Sequence, residues 1–314
     1  MRVLRAEGGG IQRGGRELAG PGAPIWLDLD PTPEDLGFLR ERFRFHPLAL
    51  EDCAHEDQRT KFEQFGDHLF LVVHRLMPAA DDSELLAKEL HAFLTPDALV
   101  TVHSTPIAEL DGVFERCARE PELLARGVDF ALYQLYDALA DAHFALVDAL
   151  SAETESLADE VLARSGRTGD DDLLDRLIVA RRQHSVLRKR LSPQREVFAA
   201  LARPGLGFVK EQTAVYFRDV VDHAVRLTEE IDTERDLLAS AQDAYLSHVN
   251  NRLSMVMARL TLISTIFLPL NFLAGFFGMN LEIVPGRVAV PLVIGAMLVL
   301  PGLLYVVFRK KGWL

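Results

Sequence analysis

The sequence predicts an α+β protein in which an N-terminal α/β domain leads through a long stalk helix into a C-terminal transmembrane hairpin. Strand-like and helix-like patterns alternate over residues 25–127. No proline occurs between Phe208 and Pro269, so a single helix can run through this stretch. Two apolar runs, 260–279 and 288–308, each have about the ~20 residues that a helix needs to span a hydrocarbon core.

Composition and charge restrict the class of protein. The chain has 314 residues and a formal net charge of -12, which argues against a nucleic-acid partner because such a partner requires a basic surface. Cys53 and Cys117 have neither a disulfide framework nor zinc-ligand spacing, so we expect free thiols in a reducing compartment. The first residues lack the apolar core of a signal peptide. We therefore expect the N-terminal part to remain in the cytoplasm.

The N-terminal domain, 1–127, is predicted to contain both strands and helices. Glycines interrupt residues 1–24, which we expect to form a flexible arm or irregular edge. Strands are predicted at 25–29, 69–76, 91–94 and 98–103, the last two forming a hairpin around Pro96 and Asp97. Thr32 and Pro33 open a helix that reaches Phe43. A further helix is predicted over 109–126.

Three helical regions follow this domain. A helical hairpin, 128–207, is predicted from periodic helices at 130–162 and 170–201. The stalk, 208–259, continues into the membrane as one helix about 105 Å long. The membrane region, 260–314, comprises a first span at 260–279, an outer loop at 280–287, a second span at 288–308 and a basic tail at 309–314. Because basic residues favour the inner side, we expect both termini in the cytoplasm.

One face of the stalk and first span carries small and polar side chains at a helical spacing. An amide such as that of Asn271 is costly at bilayer depth unless it faces protein or water. Copies of this helix around an axis could enclose a wet path, which requires a homo-oligomer. The alternative is a packing seam between helices. We call this face the stripe; it consists of Asp243, Asn250, Ser254, Met257, Leu260, Ser264, Leu268, Asn271 and Gly275.

The end of the first span resembles the CorA family of divalent-cation channels. The resemblance rests on the tripeptide Gly278, Met279 and Asn280, on the preceding run LTLISTIFLPLNFLAGFF, and on the basic tail that ends in Trp313 and Leu314. It implies a homopentameric funnel in the plasma (inner) membrane, in contact with membrane lipid. The tripeptide would then form the outer mouth of the pore and act as its selectivity filter.

The cytoplasmic part carries further resemblance to the same family. HPLALED at 46–52, QRTKFE at 58–63 and YFRDVVDH at 216–223 match its pattern. The resemblance implies that Asp219 and Asp222 face Asp52 of the next subunit and share a regulatory magnesium ion. From the residues alone, the simpler interpretation of the acids at 51–52 is that they lie in the first turn of a helix and stabilise it through its dipole.

The chemistry of these groups favours hydrated cations. No catalytic motif is present, so we expect a protein that is not an enzyme and binds no organic cofactor. Carboxylate and amide oxygens suit Mg²⁺, which dehydrates reluctantly. A ring of Asn280 oxygens could hold the hydrated ion, while Met257 and Leu260 form a constriction that closes by dewetting.

The outer loop leaves the identity of the ion open. It carries one acid, Glu282, and a basic Arg287, where magnesium-type members of the family carry two acids. A short loop ending in Pro-Gly is similar to the ZntB branch, which moves zinc. The first alternative is therefore a transporter of Zn²⁺, Co²⁺ or Ni²⁺. The second is a membrane-anchored sensor or scaffold, which would have no need of Asn271 and Asn280.

Overall fold

The computed structural model describes residues 1–79, 84–163, 171–278 and 286–310, without the side chains of residues 171, 278 and 286–290. These residues form two compact units. The first comprises residues 1–163 and 171–242, and the second begins at Asp243.

A seven-stranded mixed sheet organises the first unit. Its strands are β1 Arg2–Glu7, β2 Gly10–Gly14, β3 Ile25–Leu29, β4 Lys61–Gln64, β5 Leu69–Pro78, β6 Leu85–Leu94 and β7 Ala98–Val102. Their order is β2-β1-β3-β7-β6-β5-β4, and among these described strands only β3 and β7 pair in parallel. The predicted strands at 25–29, 69–76, 91–94 and 98–103 are all present, and β6 begins earlier than predicted.

The prediction of a flexible arm over residues 1–24 is wrong. Residues 2–7 and 10–14 form the hairpin β1–β2, and β1 pairs with β3. Gly8 and Gly9 have φ angles of 62° and 83°, a conformation that two-residue hairpin turns require. The glycines that we interpreted as breaks in structure are therefore the turn itself. Val3 and Leu4 are fully buried, on opposite faces of the sheet.

Helices cover both faces of the sheet, which explains why the inner strands are apolar on both sides. On one face, α1 (Pro33–Phe43) and α2 (Pro47–Ala54) pack over Phe70, Val72 and Phe93. Thr32 caps α1 by accepting a hydrogen bond from the Asp35 amide, as the sequence predicted. The other face packs against the remaining helices of the unit.

The predicted helices of this second layer are present, with breaks that the periodicity did not reveal. The segment predicted as one helix over 109–126 is α3 (Ala108–Arg119) followed by α4 (Pro121–Ala125). The prediction over 170–201 is likewise divided, into α6 (Asp171–Leu191) and α7 (Gln194–Leu201). Proline lies at each break, and its missing N–H favours a helix start. Between these pairs runs α5 (Val128–Ala163).

Two further helices complete the described chain. Helix α8 is continuous from Glu211 to Gly278 and contains Pro269, as predicted. Its N-terminal part contributes Phe217, Val220 and Ala224 to the core of the first unit. Helix α9 spans Gly286–Lys310. Both are long and apolar enough to cross a bilayer.

Candidate ion path and cation sites

All nine residues of the stripe lie on α8 and all are exposed in the protomer. Leu268 is 76% exposed and Leu260 is 56% exposed, although both are apolar. At about 100° per residue, the membrane part of the stripe is centred about 170° round the helix from its partly buried positions. Those positions are Leu262, which is buried, and Ile266, Pro269, Leu270, Leu273 and Phe277, which are half-buried.

The stripe therefore lies on the side of α8 that the described part of its own chain leaves uncovered. Thr261 and Thr265 satisfy their hydroxyls inside the helix by donating to the carbonyls of Met257 and Thr261, at 2.8 and 2.7 Å. Such bonding lets a hydroxyl lie at membrane depth at little cost. Asn271, with a two-donor amide in the same apolar segment, is an exposed polar group that needs water or another protein surface.

The predicted pore mouth is only partly within the described chain. Gly278 is the last residue of α8. Met279, Asn280 and Glu282 lie outside the described residues, so their roles stay predictions.

Asp52 is near the end of α2, about three-quarters buried, and it contacts a lysine. Lys61 Nζ donates to Asp52 Oδ2 and lies 3.8 Å from Glu63 Oε1. Lys61 also lies 5.4 Å from the centre of the Phe70 ring, which fixes its ammonium by a cation–π contact. The carboxylate expected to bind a regulatory cation is therefore already neutralised within the protomer.

Asp219 belongs to a group of three potential metal ligands. Asp137 on α5 and Asp219 and His223 on α8 place one ligand atom each within 4.8 Å of one another. His223 Nε2 lies 3.8 Å from Asp219 Oδ2, and its Nδ1 is buried without a hydrogen-bond partner among the described residues. Asp222 is exposed and is not a member of this group.

The electrostatics of this group favour a bound cation. Burial raises the pKa of Asp137, and the neighbouring charges of Asp141 and Asp219 raise it further. Burial, with Asp137 and Asp219, also raises the pKa of Tyr133 to about 12. The carboxylates are thus close together without a full counter-ion. A bound dication would reduce the repulsion between them.

Sequence reasoning did not find Asp137 or His223. His223 is four residues after Asp219, so helical spacing alone could have placed it on the same face. Asp137 could not be found in this way, because its position depends on how α5 packs against α8.

Comparisons with known proteins agree with this architecture. A family model described as CorA-like Mg²⁺ transporter protein matches residues 22–310. The cobalt/magnesium transport protein CorA of Thermotoga maritima is 34% identical over 297 residues, which are 93% of this chain and 84% of that protein.

Solved structures confirm the predicted fold class. The structure of the CorA magnesium transporter from Methanocaldococcus jannaschii matches with a TM-score of 0.86 at 21% identity, over 100% of this chain and 99% of that one. The ZntB cytoplasmic domain from Vibrio parahaemolyticus matches with a TM-score of 0.66 at 13% identity, over 80% and 98% of the two chains. The family model and the Thermotoga relative confirm the resemblance seen in the sequence, and the chain belongs to the CorA-like Mg²⁺ transporter family.

Proposed function

We propose that this chain is one subunit of a homo-oligomeric membrane channel that conducts hydrated divalent cations, with Mg²⁺ as the principal cargo and Co²⁺ as a second. The family membership and the name of the Thermotoga relative support this assignment. The protein spans the membrane twice, with residues 1–259 and the tail 309–314 in the cytoplasm. Residues 1–127 form its α/β domain, 128–207 its helical hairpin, 208–259 its stalk and 260–314 its membrane region.

The uncovered stripe on α8 carries this proposal. An exposed Asn271 in an apolar span is stable when several copies of α8 turn it towards a shared aqueous axis. Five copies, the number that the family resemblance implies, would line the path with amides and hydroxyls, and Met257 and Leu260 would form its narrow apolar part. Gly278, Met279 and Asn280 would form the outer mouth, with Glu282 attracting cations from the loop.

Mg²⁺ also regulates the channel in this proposal. When cytoplasmic Mg²⁺ is abundant, Asp219 and Asp222 share an ion with Asp52 of the next subunit, and the subunits are held in the closed state. The proximity of Asp137 and His223 to Asp219 supports this role, because they supply further ligands. When Mg²⁺ is depleted, the carboxylates repel one another and the pore opens.

A zinc-type transporter is the second candidate. The histidine in the Asp137–Asp219–His223 group supports it, since imidazole suits Zn²⁺ and Co²⁺ better than Mg²⁺. A simple anchor or scaffold is the weaker reading, because an anchor gains nothing from the stripe.

Reconstituted vesicles test the channel. We expect Mg²⁺ influx in the parent protein, and a fall of about tenfold or more in Asn280→Ala and Asn271→Ala, since a hydrogen bond to a charged group contributes ~1.5–3 kcal/mol. Asn251→Ala is the matched control, because Asn251 is also exposed on α8 but is outside the stripe. Influx of Zn²⁺ in preference to Mg²⁺ would select the second candidate. No cation influx would reject the channel.

Asp219→Ala tests the regulation. We expect internal Mg²⁺ to inhibit influx into vesicles holding the variant less than influx into those holding the parent protein. Equal inhibition of the two would contradict the role of Asp219. Glu229→Ala is the control, an exposed acid further along the same helix.

A further inference from the structure

A cavity of about 400 Å³ lies within the first unit, and its described lining includes no residue of the stripe or of the Asp137–Asp219–His223 group. Its walls are the end of α2 with the residues that follow it, the first half of β6, and Arg190 of α6. His91 and Glu89, neighbours on one face of β6, both line it.

His91 lines this cavity, and one of its ring nitrogens is buried and unused among the described residues. The residue is only 4% exposed, and its Nε2 has no hydrogen-bond partner in the described part of the chain. Phe70 stacks on the ring, with centroids 6.0 Å apart. Burial lowers the pKa of His91 to about 4, although the charge of Glu89 opposes this shift. The imidazole is therefore neutral at physiological pH, the state in which it binds metal ions.

Glu89 lies between two histidines at distances too long for hydrogen bonds. Its Oε2 is 3.6 Å from His91 Nε2, and its Oε1 is 3.8 Å from His74 Nε2. His74 is committed elsewhere, through Thr60 Oγ1 at 3.0 Å and the Gln58 carbonyl at 3.1 Å. The Glu89 side chain is only 13% exposed, so this carboxylate is partly desolvated and incompletely neutralised.

The other charges of the cavity also favour a cation. Among its described lining residues there are three acids, Glu56, Asp57 and Glu89, against Lys88 and Arg190. Arg190 pairs with Asp57 at 2.6 Å, so these two charges offset each other, and its Nη1 lies 3.2 Å from His74 Nε2. Lys88 Nζ donates to the Pro106 carbonyl at 2.6 Å, which leaves Glu56 and Glu89 against one lysine.

We propose that His91 Nε2 and the Glu89 carboxylate bind a divalent transition-metal cation, Zn²⁺ or Co²⁺, at the wall of this cavity. Two ligands bonded to one tetrahedral metal at ~2.0–2.2 Å are roughly 3.4 Å apart, close to the separation seen here. Water from the cavity completes the coordination. An imidazole and a carboxylate together select such metals over Mg²⁺, which prefers oxygen alone. The site shares no residue with the stripe and does not depend on the proposed transport.

Cobalt titration of the full-length protein in detergent tests this site through the visible ligand-field absorption of bound Co²⁺. All proteins carry Asp219→Asn and His223→Gln, so that the Asp137–Asp219–His223 group does not bind the added Co²⁺. In this background we compare Glu89→Gln, which keeps the shape of the side chain, with His91→Leu. The control is Glu56→Gln, an exposed acid of the same cavity.

We expect the background protein and the Glu56→Gln control to bind one more equivalent of Co²⁺ than the two site variants, or to bind it roughly ten- to a hundredfold more tightly. Excess Mg²⁺ should not displace this equivalent, whereas Zn²⁺ should. Equal binding in the background protein and Glu89→Gln overturns the proposal, and so does full displacement by Mg²⁺. If His91→Leu fails to fold, Glu89→Gln alone decides. Mg²⁺ influx in Glu89→Gln is expected to be unchanged.

Discussion

Lys61 donates a hydrogen bond to Asp52, so the carboxylate expected at a regulatory subunit interface already has a counter-ion in its own protomer. Both side chains are about one-quarter exposed. A dication that binds Asp52 must displace the ammonium or share the carboxylate with it. Lys61 therefore competes with the regulatory ion.

Lys61→Met should consequently lower the concentration of Mg²⁺ that half-inhibits influx. A partly exposed ion pair contributes roughly 0.2–1 kcal/mol, so we expect a shift of about two- to fivefold. The measurement is influx into vesicles at stepped internal Mg²⁺. Lys88→Met is the control, because Lys88 donates to the Pro106 carbonyl rather than to an acid. A shift to higher Mg²⁺ in Lys61→Met would contradict the competition.

Leu260 should act as part of an apolar gate. Replacing it by a polar residue, Leu260→Asn, would hydrate the constriction, so we expect influx to persist at inhibitory Mg²⁺. Ile263→Asn is closely matched, because Ile263 is 55% exposed and Leu260 is 56% exposed. Ile263 lies about 100° round the helix from the centre of the stripe. If influx persists in both variants, a polar residue anywhere in the span is sufficient, and the position of Leu260 on the stripe is not the cause.

Much of the architecture could be predicted from the sequence because its signals are local. The run without proline and the two apolar segments predict α8 and α9, and Thr32 with Pro33 marks the start of α1. The prediction over residues 1–24 failed because local signals do not decide it. Two consecutive glycines such as Gly8 and Gly9 are compatible both with a loose arm and with a tight hairpin turn, and only the pairing of β1 with β3 distinguishes these conformations.

The cation sites could be predicted only in part, because they depend on packing between elements. The spacing identified the stripe, and the family resemblance identified Asp219; both lie on one helix. Asp137 approaches Asp219 from α5, and Lys61 approaches Asp52 from β4. His91 and Glu89 are two residues apart, as strand geometry requires for a shared face, but the sequence did not indicate that a cavity adjoins them.

A buried ionic network should make the stability of the first unit depend on pH. Asp28 is 5% exposed and binds Arg2 at 2.8 Å, His103 at 3.2 Å and Thr101 at 2.6 Å. Burial opposes ionisation of Asp28, but the hydrogen bond and charge of His103 prevail and lower its pKa. For His103, burial is likewise outweighed by its bond to Asp28, which raises the pKa.

The two shifts define a pH window for this stabilisation. The contribution of Asp28 is present above its unfolded pKa of about 3.9 and is lost as the pH falls. The contribution of His103 is complete below its unfolded pKa of about 6.5 and is lost as the pH rises through its higher folded value. The network therefore stabilises most between about pH 4 and 6.5.

Asp28→Asn should lower the melting temperature. It should also reduce the decrease in melting temperature that the parent protein shows as the pH rises above this window. Removing one partner of a buried ion pair costs about 3–5 kcal/mol. Thermal unfolding of the full-length protein over a pH series measures both effects. Glu41→Gln, an exposed acid on α1 that is not part of this network, should leave the pH profile unchanged. A parallel profile in Asp28→Asn would contradict the assignment.

The crowding of carboxylates around Asp137 gives the last prediction. Because its folded pKa is raised, protonation of Asp137 favours the folded state, and this contribution is lost as the pH rises through the folded value. In the absence of metal, Asp137→Asn should therefore raise the free energy of unfolding at pH 8 by less than about 1 kcal/mol in this partly exposed position, and with it the melting temperature. The gain should vanish towards about pH 4.

Addition of Mg²⁺ should reverse the order of the two proteins. An ion present at about 100 times its dissociation constant stabilises the folded state by ~2.7 kcal/mol, so the parent protein should gain most when Asp137 is available as a ligand. Asp148→Asn, an exposed acid on the same helix, should respond to pH and Mg²⁺ as the parent does. The melting temperature of Asp137→Asn could instead rise as much with Mg²⁺ as that of the parent. In that case no ion binds Asp137, and the ligands of the regulatory ion must lie elsewhere on α8.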